Sequence, residues 1–267
     1  MKILIIGGDS RNEYLYTELT QSGYEVDKFA LGENSQKELE TNSYKFIVGP
    51  IPFTTDNIHL YTPLCNRSIH INDFLQSLNN SSLLMAGSIP DNQSINCAYI
   101  DLTKNEWLYD KNIISTGEGI LQLLLNNIEY TIDDSNILVT GYGKVGKSIS
   151  TALLNLNARV SIYSTNTMEQ EEIAGKFQTG QINDLTQYDI IINTIPSIIF
   201  TERNLNTINR GTFLLDVASS PGGIDIEHAE KNNIRFVKAP GLPGKKAPKS
   251  VAKAMKCIIV KYIEENS

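Results

Sequence analysis

Three glycines at fixed spacing, Gly141-x-Gly143-x-x-Gly146, constrain this chain more than any other feature. They sit in "NILVTGYGKVGKSIS" (136–150), after an apolar run that reads as a strand and at the opening of a helical segment. A second strand at "ARVSIYS" completes a β-α-β unit. The spacing alone is a weak signal, and this context makes it a strong one. Gly141 permits a tight turn, Gly143 lets the backbone approach a pyrophosphate, and Gly146 lets helix and strand pack closely. The pyrophosphate then rests on the helix N-terminus. Tyr142, Lys144 and Val145 complete the loop, where Lys144 either adds positive charge or is simply solvated.

The surrounding pattern alternates apolar runs with helical stretches, which argues for parallel strands and crossovers. Before the glycine loop, "KILIIGG" (2–8) predicts a buried strand ending in glycines, and "RNEYLYTELTQSGY" predicts a helix closed by Gly23. "EVDKFA", "KFIVGPIPF" and "SLLMAGSIP" predict further strands, with a short last one at "IIS" (113–115). The polar segment 54–82 carries no clear period. "TGEGILQLLLNNIEYT" (116–131) predicts a linking helix. After the glycine loop, strands are expected at 189–196, 212–219 and 234–240, and a final helix over about 250–264. The expected fold class is α/β: two doubly wound Rossmann-like domains with parallel sheets, joined by linker helices. The expected division is a substrate domain over 1–115, then the linking helix, the nucleotide domain and the C-terminal helix over 116–267.

The turn after the second strand of the unit, Tyr163 to Thr167, has no acid until Glu169. Sites that take NAD usually place a carboxylate there, on the ribose 2′-hydroxyl. Ser164, Thr165 and Asn166 could instead hydrogen-bond a 2′-phosphate. That favours NADP, with NAD still possible because no arginine occupies the turn.

In an open parallel sheet, ligands lie beyond the carboxyl ends of the strands. Those ends here are "NTIPS", "ASSPGG" and "APGLPG", and each carries Pro or Gly. Asn193, Thr194, Pro196, Ala218 and Ser219 are therefore expected around the nicotinamide. Pro240, Gly241, Pro243 and Gly244, in the stiffened cationic stretch "KAPGLPGKKAPKS" (238–250), are expected against the substrate. Lys249 begins a helix, where the macrodipole disfavours a cation unless an anion is shared. Gly7, Gly8 and Arg11 form a second strand-to-helix turn able to hold an anion. Two such cradles facing each other would suit a dicarboxylate. Glu118 reads as a general base or as a dipole-favoured acid in the first turn of the linking helix.

The charge distribution points the same way. Residues 231–261 contain nine Lys or Arg and no acid, while the remainder holds 14 basic against 30 acidic residues. An acidic protein with one basic stretch suits a local anion site rather than nucleic acid. No apolar stretch reaches the length of a membrane span. The glycines arrive too early for a signal peptide. Three scattered cysteines suit a cytoplasmic protein and give no disulfide or metal pattern. His59, His70 and His228 lack metal-ligand spacing.

"IGGDSR", "STGEG", "GYGKVG", "INTIPSII", "LLDVASSPGGIDIEHAEKNNI" and "APGLPGKKAPKS" together resemble the dipicolinate synthase A-subunit family of spore-forming bacteria. That resemblance implies a two-domain Rossmann protein related to the D-2-hydroxyacid dehydrogenases. It implies oxidation of dihydrodipicolinate, from a branch point of lysine synthesis, with NADP in the mother cell during sporulation. It also implies a partner, the flavoprotein-like B-subunit of dipicolinate synthase, and a homo-oligomer is expected. The family often has Arg where this chain has Ser220 and Thr165. Two alternatives stay open. A D-2-hydroxyacid dehydrogenase would need a catalytic Arg near the nicotinamide and a late His, but "DVASSPGG" has no Arg and only His228 follows Gly223. A non-catalytic nucleotide-binding scaffold subunit would use the basic 231–261 stretch for docking.

Overall fold

Runs of branched aliphatic residues bounded by glycine form the inner strands of two parallel sheets. The computed structural model describes residues 2–32 and 39–266. It divides into two units, Met1–Asn112 with Ala247–Ser267, and Ile113–Lys246.

In the first unit, β1 (Lys2–Ile6), β2 (Glu25–Phe29), β3 (Phe46–Val48), β4 (Leu83–Ala86) and β5 (Ala98–Asp101) pair in the order β2-β1-β3-β4-β5. Every pairing is parallel. Ile3 to Ile6 are completely buried because helices cover both faces of such a sheet. The outer strands read differently: "AYID" of β5 is half exposed, and its mixed composition hid it from sequence analysis. Helix α1 (Ser10–Gln21) ends before Gly23, whose φ of +87° lies in the region glycine favours. A short α2 (Ile71–Gln76) lies within the segment that showed no period.

Helix α3 (Glu106–Asn127) starts ten residues before the expected linking helix and absorbs the "IIS" expected as a strand. The Ser-Thr-Gly cluster at 115–117 reads as a helix start, but the stretch lies inside the helix and its second glycine, Gly119, serves packing. A Cβ on Gly119 would lie 3.1 Å from Lys246 Cγ and 3.2 Å from Leu242 Cβ.

The second unit contains β6 (Asn136–Thr140), α4 (Lys144–Asn155), β7 (Arg159–Tyr163), α5 (Thr167–Ala174) and β8 (Gln178–Thr179). Then follow β9 (Ile190–Asn193), α6 (Glu202–Leu205), β10 (Phe213–Asp216), α7 (Ile226–Lys231), β11 (Phe236–Lys238) and α8 (Leu242–Lys246). The order β11-β10-β9-β6-β7-β8 is two βαβαβ halves meeting between β6 and β9, the switch point where such sheets bind dinucleotides. Both sheets are doubly wound, as the alternating pattern predicts.

The final helix, α9 (Pro248–Glu265), belongs to the first unit and not, as expected, to the nucleotide domain. Pro248 opens it at the position proline favours. Its stripe of Val251, Met255, Ile258 and Ile259 shares a core with Leu15 and Leu19 of α1 and with Ile3 and Ile5 of β1. An apolar stripe shows which face is buried but not which partner buries it. Met255 is fully buried there. Met255→Ala should destabilise the first unit by about 3 kcal/mol, measured by urea unfolding followed through the single tryptophan, Trp107. A loss below about 1 kcal/mol would place α9 outside that core.

Candidate cofactor site

The three glycines of the loop between β6 and α4 do three different things. Gly141 has φ +88°, and a Cβ there would lie 2.5 Å from Thr194 Oγ1. A Cβ on Gly146 would lie 2.1 Å from Gly141 O, so the helix packs on the turn only without a side chain. Gly143 is exposed, and a Cβ there would meet nothing within 4 Å. It is also the N-cap of α4, with no side-chain cap. Helices α1, α5 and α7 are capped by Asp9, Asn166 and Asp225 respectively, whereas α2, α6 and α9, like α4, have no side-chain cap. The α4 start therefore combines an open approach, no capping side chain and the positive end of a twelve-residue helix. A pyrophosphate fits there.

The other loop residues divide. Lys144 is exposed and Val145 half-buried against the core. The Tyr142 side chain is core rather than contact: it is 3% exposed and packs edge-on against Phe177, with ring centroids 5.9 Å apart. Burial raises its phenol pKa, and the nearby Glu172 carboxylate adds to the shift. Lys147 lies over the ring and pairs with Glu172 at 2.6 Å.

The turn after β7 is tied up internally. Ser164 Oγ donates to Glu169 Oε2 at 2.5 Å and accepts from Asn166 N at 3.1 Å. Asn166 Oδ1 caps α5, accepting from Met168 N at 3.0 Å and Glu169 N at 3.4 Å. Gln170 Nε2 donates to Ser164 O at 2.7 Å. Ser164 Oγ and Asn166 Oδ1 are thus engaged locally rather than turned outward, while Thr165 is exposed.

At the carboxyl ends of the inner strands lies a buried polar chain. Asn193, fully buried, accepts from Thr140 Oγ1 at 2.7 Å and from Ile195 N at 3.1 Å. Its amide donates to Asp216 Oδ1 at 2.8 Å and to Ile195 O at 3.0 Å. Asp216, also fully buried, accepts in addition from Ala218 N at 3.2 Å and Gly223 N at 2.9 Å. Every polar group of the Asn193 side chain is engaged, so the expectation that it reaches the nicotinamide is withdrawn. It instead clamps the ends of β6, β9 and β10. Thr194 Oγ1 donates to Thr140 O at 2.8 Å. Pro196 and Ser219 are exposed at this edge, and Ala218 is nearly buried. Asp216 escaped notice as a positioning residue, although an acid closing an otherwise apolar strand, "FLLD", was the signal. Lys238, which opens the cationic stretch at the end of β11, donates through its ammonium to Pro221 O at 3.2 Å.

The expected anion cradle of the first unit is already occupied by its own groups. Gly7 N donates to Phe29 O at 2.9 Å and Gly8 N to Tyr61 O at 2.8 Å. Asp9 caps α1 and holds Arg11 through Nε at 2.9 Å and Nη2 at 2.8 Å. Arg11 also donates to Ile51 O and is buried, so it is not an open clamp. The sequence shows the strand-glycine-helix turn but not that Asp9 supplies the anion.

Glu118 is exposed midway along α3, which removes the first-turn explanation for it. Lys249 is exposed in the first turn of α9. Pro240 and Gly241 are exposed, with Gly241 at φ +71°, whereas Pro243 and Gly244 lie inside helix α8 and are half-buried and buried. The cationic stretch is thus part helix, not a continuous loop. His59 pairs with Asp56 at 2.7 Å, and His228 bonds Asn206 at 2.9 Å. Among the described residues no group of His, Cys, Asp or Glu is arranged to hold a metal, and no helix is long and apolar enough to cross a membrane.

Comparison with known proteins agrees with the resemblance. The family model for the N-terminal domain of the dipicolinate synthase A-subunit matches residues 2–104. The dipicolinate synthase A-subunit of Bacillus subtilis (strain 168) is 29% identical over 289 residues, covering 99% of this chain and 96% of the relative. The crystal structure of the dipicolinate synthase A-subunit from Bacillus halodurans is 26% identical with a TM-score of 0.82, covering 98% of this chain and 97% of that one. The apo-structure of D-lactate dehydrogenase from Escherichia coli, 12% identical, has a TM-score of 0.67 over 100% of this chain and 98% of its own, a likeness of fold alone.

Proposed function

We propose, for a chain similar over its whole length to the dipicolinate synthase A-subunit, that it oxidises dihydrodipicolinate to dipicolinate. The observation that carries this reading is the open, uncapped start of α4 behind Gly143, at the switch point of the second sheet. A bound nicotinamide dinucleotide would supply the hydride acceptor; the resemblance and the acid-free stretch 163–167 suggest NADP. Loss of one hydride and one proton converts the dihydropyridine into an aromatic ring. That gain supplies much of the driving force, so binding and orientation are the chief tasks of the protein.

Lys249 is the candidate for a substrate carboxylate and Glu118 the candidate for the proton. Lys249→Ala should raise KM for the dicarboxylate about tenfold or more while leaving cofactor affinity nearly unchanged. Collapse of cofactor affinity instead would assign Lys249 to the phosphates.

The deciding experiment gives the purified chain freshly made dihydrodipicolinate with NADP or NAD and follows the reduced nicotinamide. Turnover by the chain alone supports the reading. Turnover only when the flavoprotein-like B-subunit is added would make this chain the nucleotide-binding member of a two-component enzyme. Turnover of common 2-hydroxy acids would displace the reading. Expression in the mother cell during sporulation is part of the same proposal.

A further inference from the structure

Resting on the reading that the chain oxidises a dicarboxylate at a nicotinamide held by the second unit, we infer that Lys238 is a substrate-binding residue whose ammonium takes one of the two carboxylates. Strand register places four polar side chains in one row across the carboxyl ends of four adjacent strands. Thr140 of β6 pairs with Asn193 of β9, Asn193 with Asp216 of β10, and Asp216 with Lys238 of β11. Residues paired in this way project from the same face of a parallel sheet. The first three are fully buried and consume one another: Thr140 Oγ1 donates to Asn193 Oδ1, and Asn193 Nδ2 donates to Asp216 Oδ1. Lys238 ends the row and is the exposed member of the four.

The row does not need the charge of Lys238. Asp216 already accepts from Asn193 Nδ2, Ala218 N and Gly223 N. Among the described residues, the ammonium bonds a neutral acceptor, Pro221 O, at 3.2 Å, and no carboxylate pairs with it. An ammonium carries three N–H donors, so two remain. The turn beside it is shaped for close approach. Gly222 has φ +87°, and a Cβ there would lie 3.1 Å from Lys238 Nζ and 2.6 Å from Asp216 Oδ2. The bond to Pro221 O thus holds the ammonium against the loop after β10, the loop that carries Ala218 and Ser219. The three strand-end loops 194–200, 217–223 and 239–241 contain no charged side chain of their own. Lys238 is therefore the cation that the ends of β9, β10 and β11 offer to an anion, on the side of the sheet where such folds place their ligands. No acid in those loops competes for it.

Isothermal titration of dipicolinate into the full chain saturated with NADP tests this without requiring turnover. Lys238→Gln keeps a donor for Pro221 O but removes the charge, and should weaken dipicolinate about tenfold or more. Lys238→Arg keeps the charge and should retain most of the affinity. NADP affinity and the urea midpoint of Lys238→Gln should stay at their native values, because Gly222 N still donates to Ser219 O and Gly223 N to Asp216 Oδ2. In turnover, KM for dihydrodipicolinate should rise by the same factor while kcat changes little. Native dipicolinate affinity in Lys238→Gln would overturn the inference while leaving the proposed reaction standing. So would equal losses of dipicolinate and NADP affinity, the mark of a residue that only shapes the loop. A native chain that binds NADP but neither binds dipicolinate nor turns over dihydrodipicolinate would overturn both.

Discussion

Gly146→Ala should destabilise the second unit by roughly 3 kcal/mol and abolish measurable dinucleotide binding. The added carbon would sit 2.1 Å from Gly141 O, a backbone atom that moves only if the turn opens. Gly143→Ala should leave stability nearly unchanged. Its φ of −65° and ψ of −175° suit any residue, and the new methyl meets nothing within 4 Å. Unfolding should stay within about 0.5 kcal/mol of the native value, while dinucleotide affinity falls about a hundredfold, because the methyl occupies the pyrophosphate's approach. Urea titration and calorimetry on the two variants separate the effects. If Gly143→Ala binds normally, the open loop is not the phosphate site.

Asp216→Ala should cost about 4 kcal/mol, measured by urea unfolding, through loss of a buried acceptor used by three donors. Asn193 Nδ2, Ala218 N and Gly223 N all point at its carboxylate. A cavity of carboxylate size offers them no replacement. The loops after β9 and β10 both hang from this group, so cofactor affinity should fall with stability. Asp216→Asn, which keeps one oxygen but aims an N–H at other donors, should fall between. A cost below about 1 kcal/mol for Asp216→Ala would mean that water replaces the carboxylate.

The sequence was most legible where the physics is local. The strand, the glycine turn and the opening of α4 are contiguous, and Gly141 and Gly146 are demanded by atoms within that unit or in the adjoining strand-end loop, while Gly143 leaves an open approach. The alternating pattern likewise sufficed for two doubly wound sheets. Legibility failed wherever a group's partner lies elsewhere along the chain. Gly8 looked like an anion donor, but its N–H is taken by Tyr61 O, more than fifty residues away. Asn193 looked like a ligand contact because it ends a strand, yet Thr140 and Asp216, on flanking strands, consume it. Arg11 is a different case: its neutralising partner, Asp9, stands only two residues away, but their pairing depends on side-chain geometry rather than on spacing.

The return of α9 to the first unit makes that unit discontinuous along the chain: Ile113–Lys246 is written inside it. On the ribosome, the sheet of residues 2–101 therefore emerges with the apolar flanks of Leu15, Leu19 and Met85 waiting for a lid that is not yet translated. The inserted unit has its whole sequence available before that lid exists. Vectorial synthesis thus favours an inside-out order of assembly, with the unit encoded in the middle maturing first and the one encoded at the start sealing last.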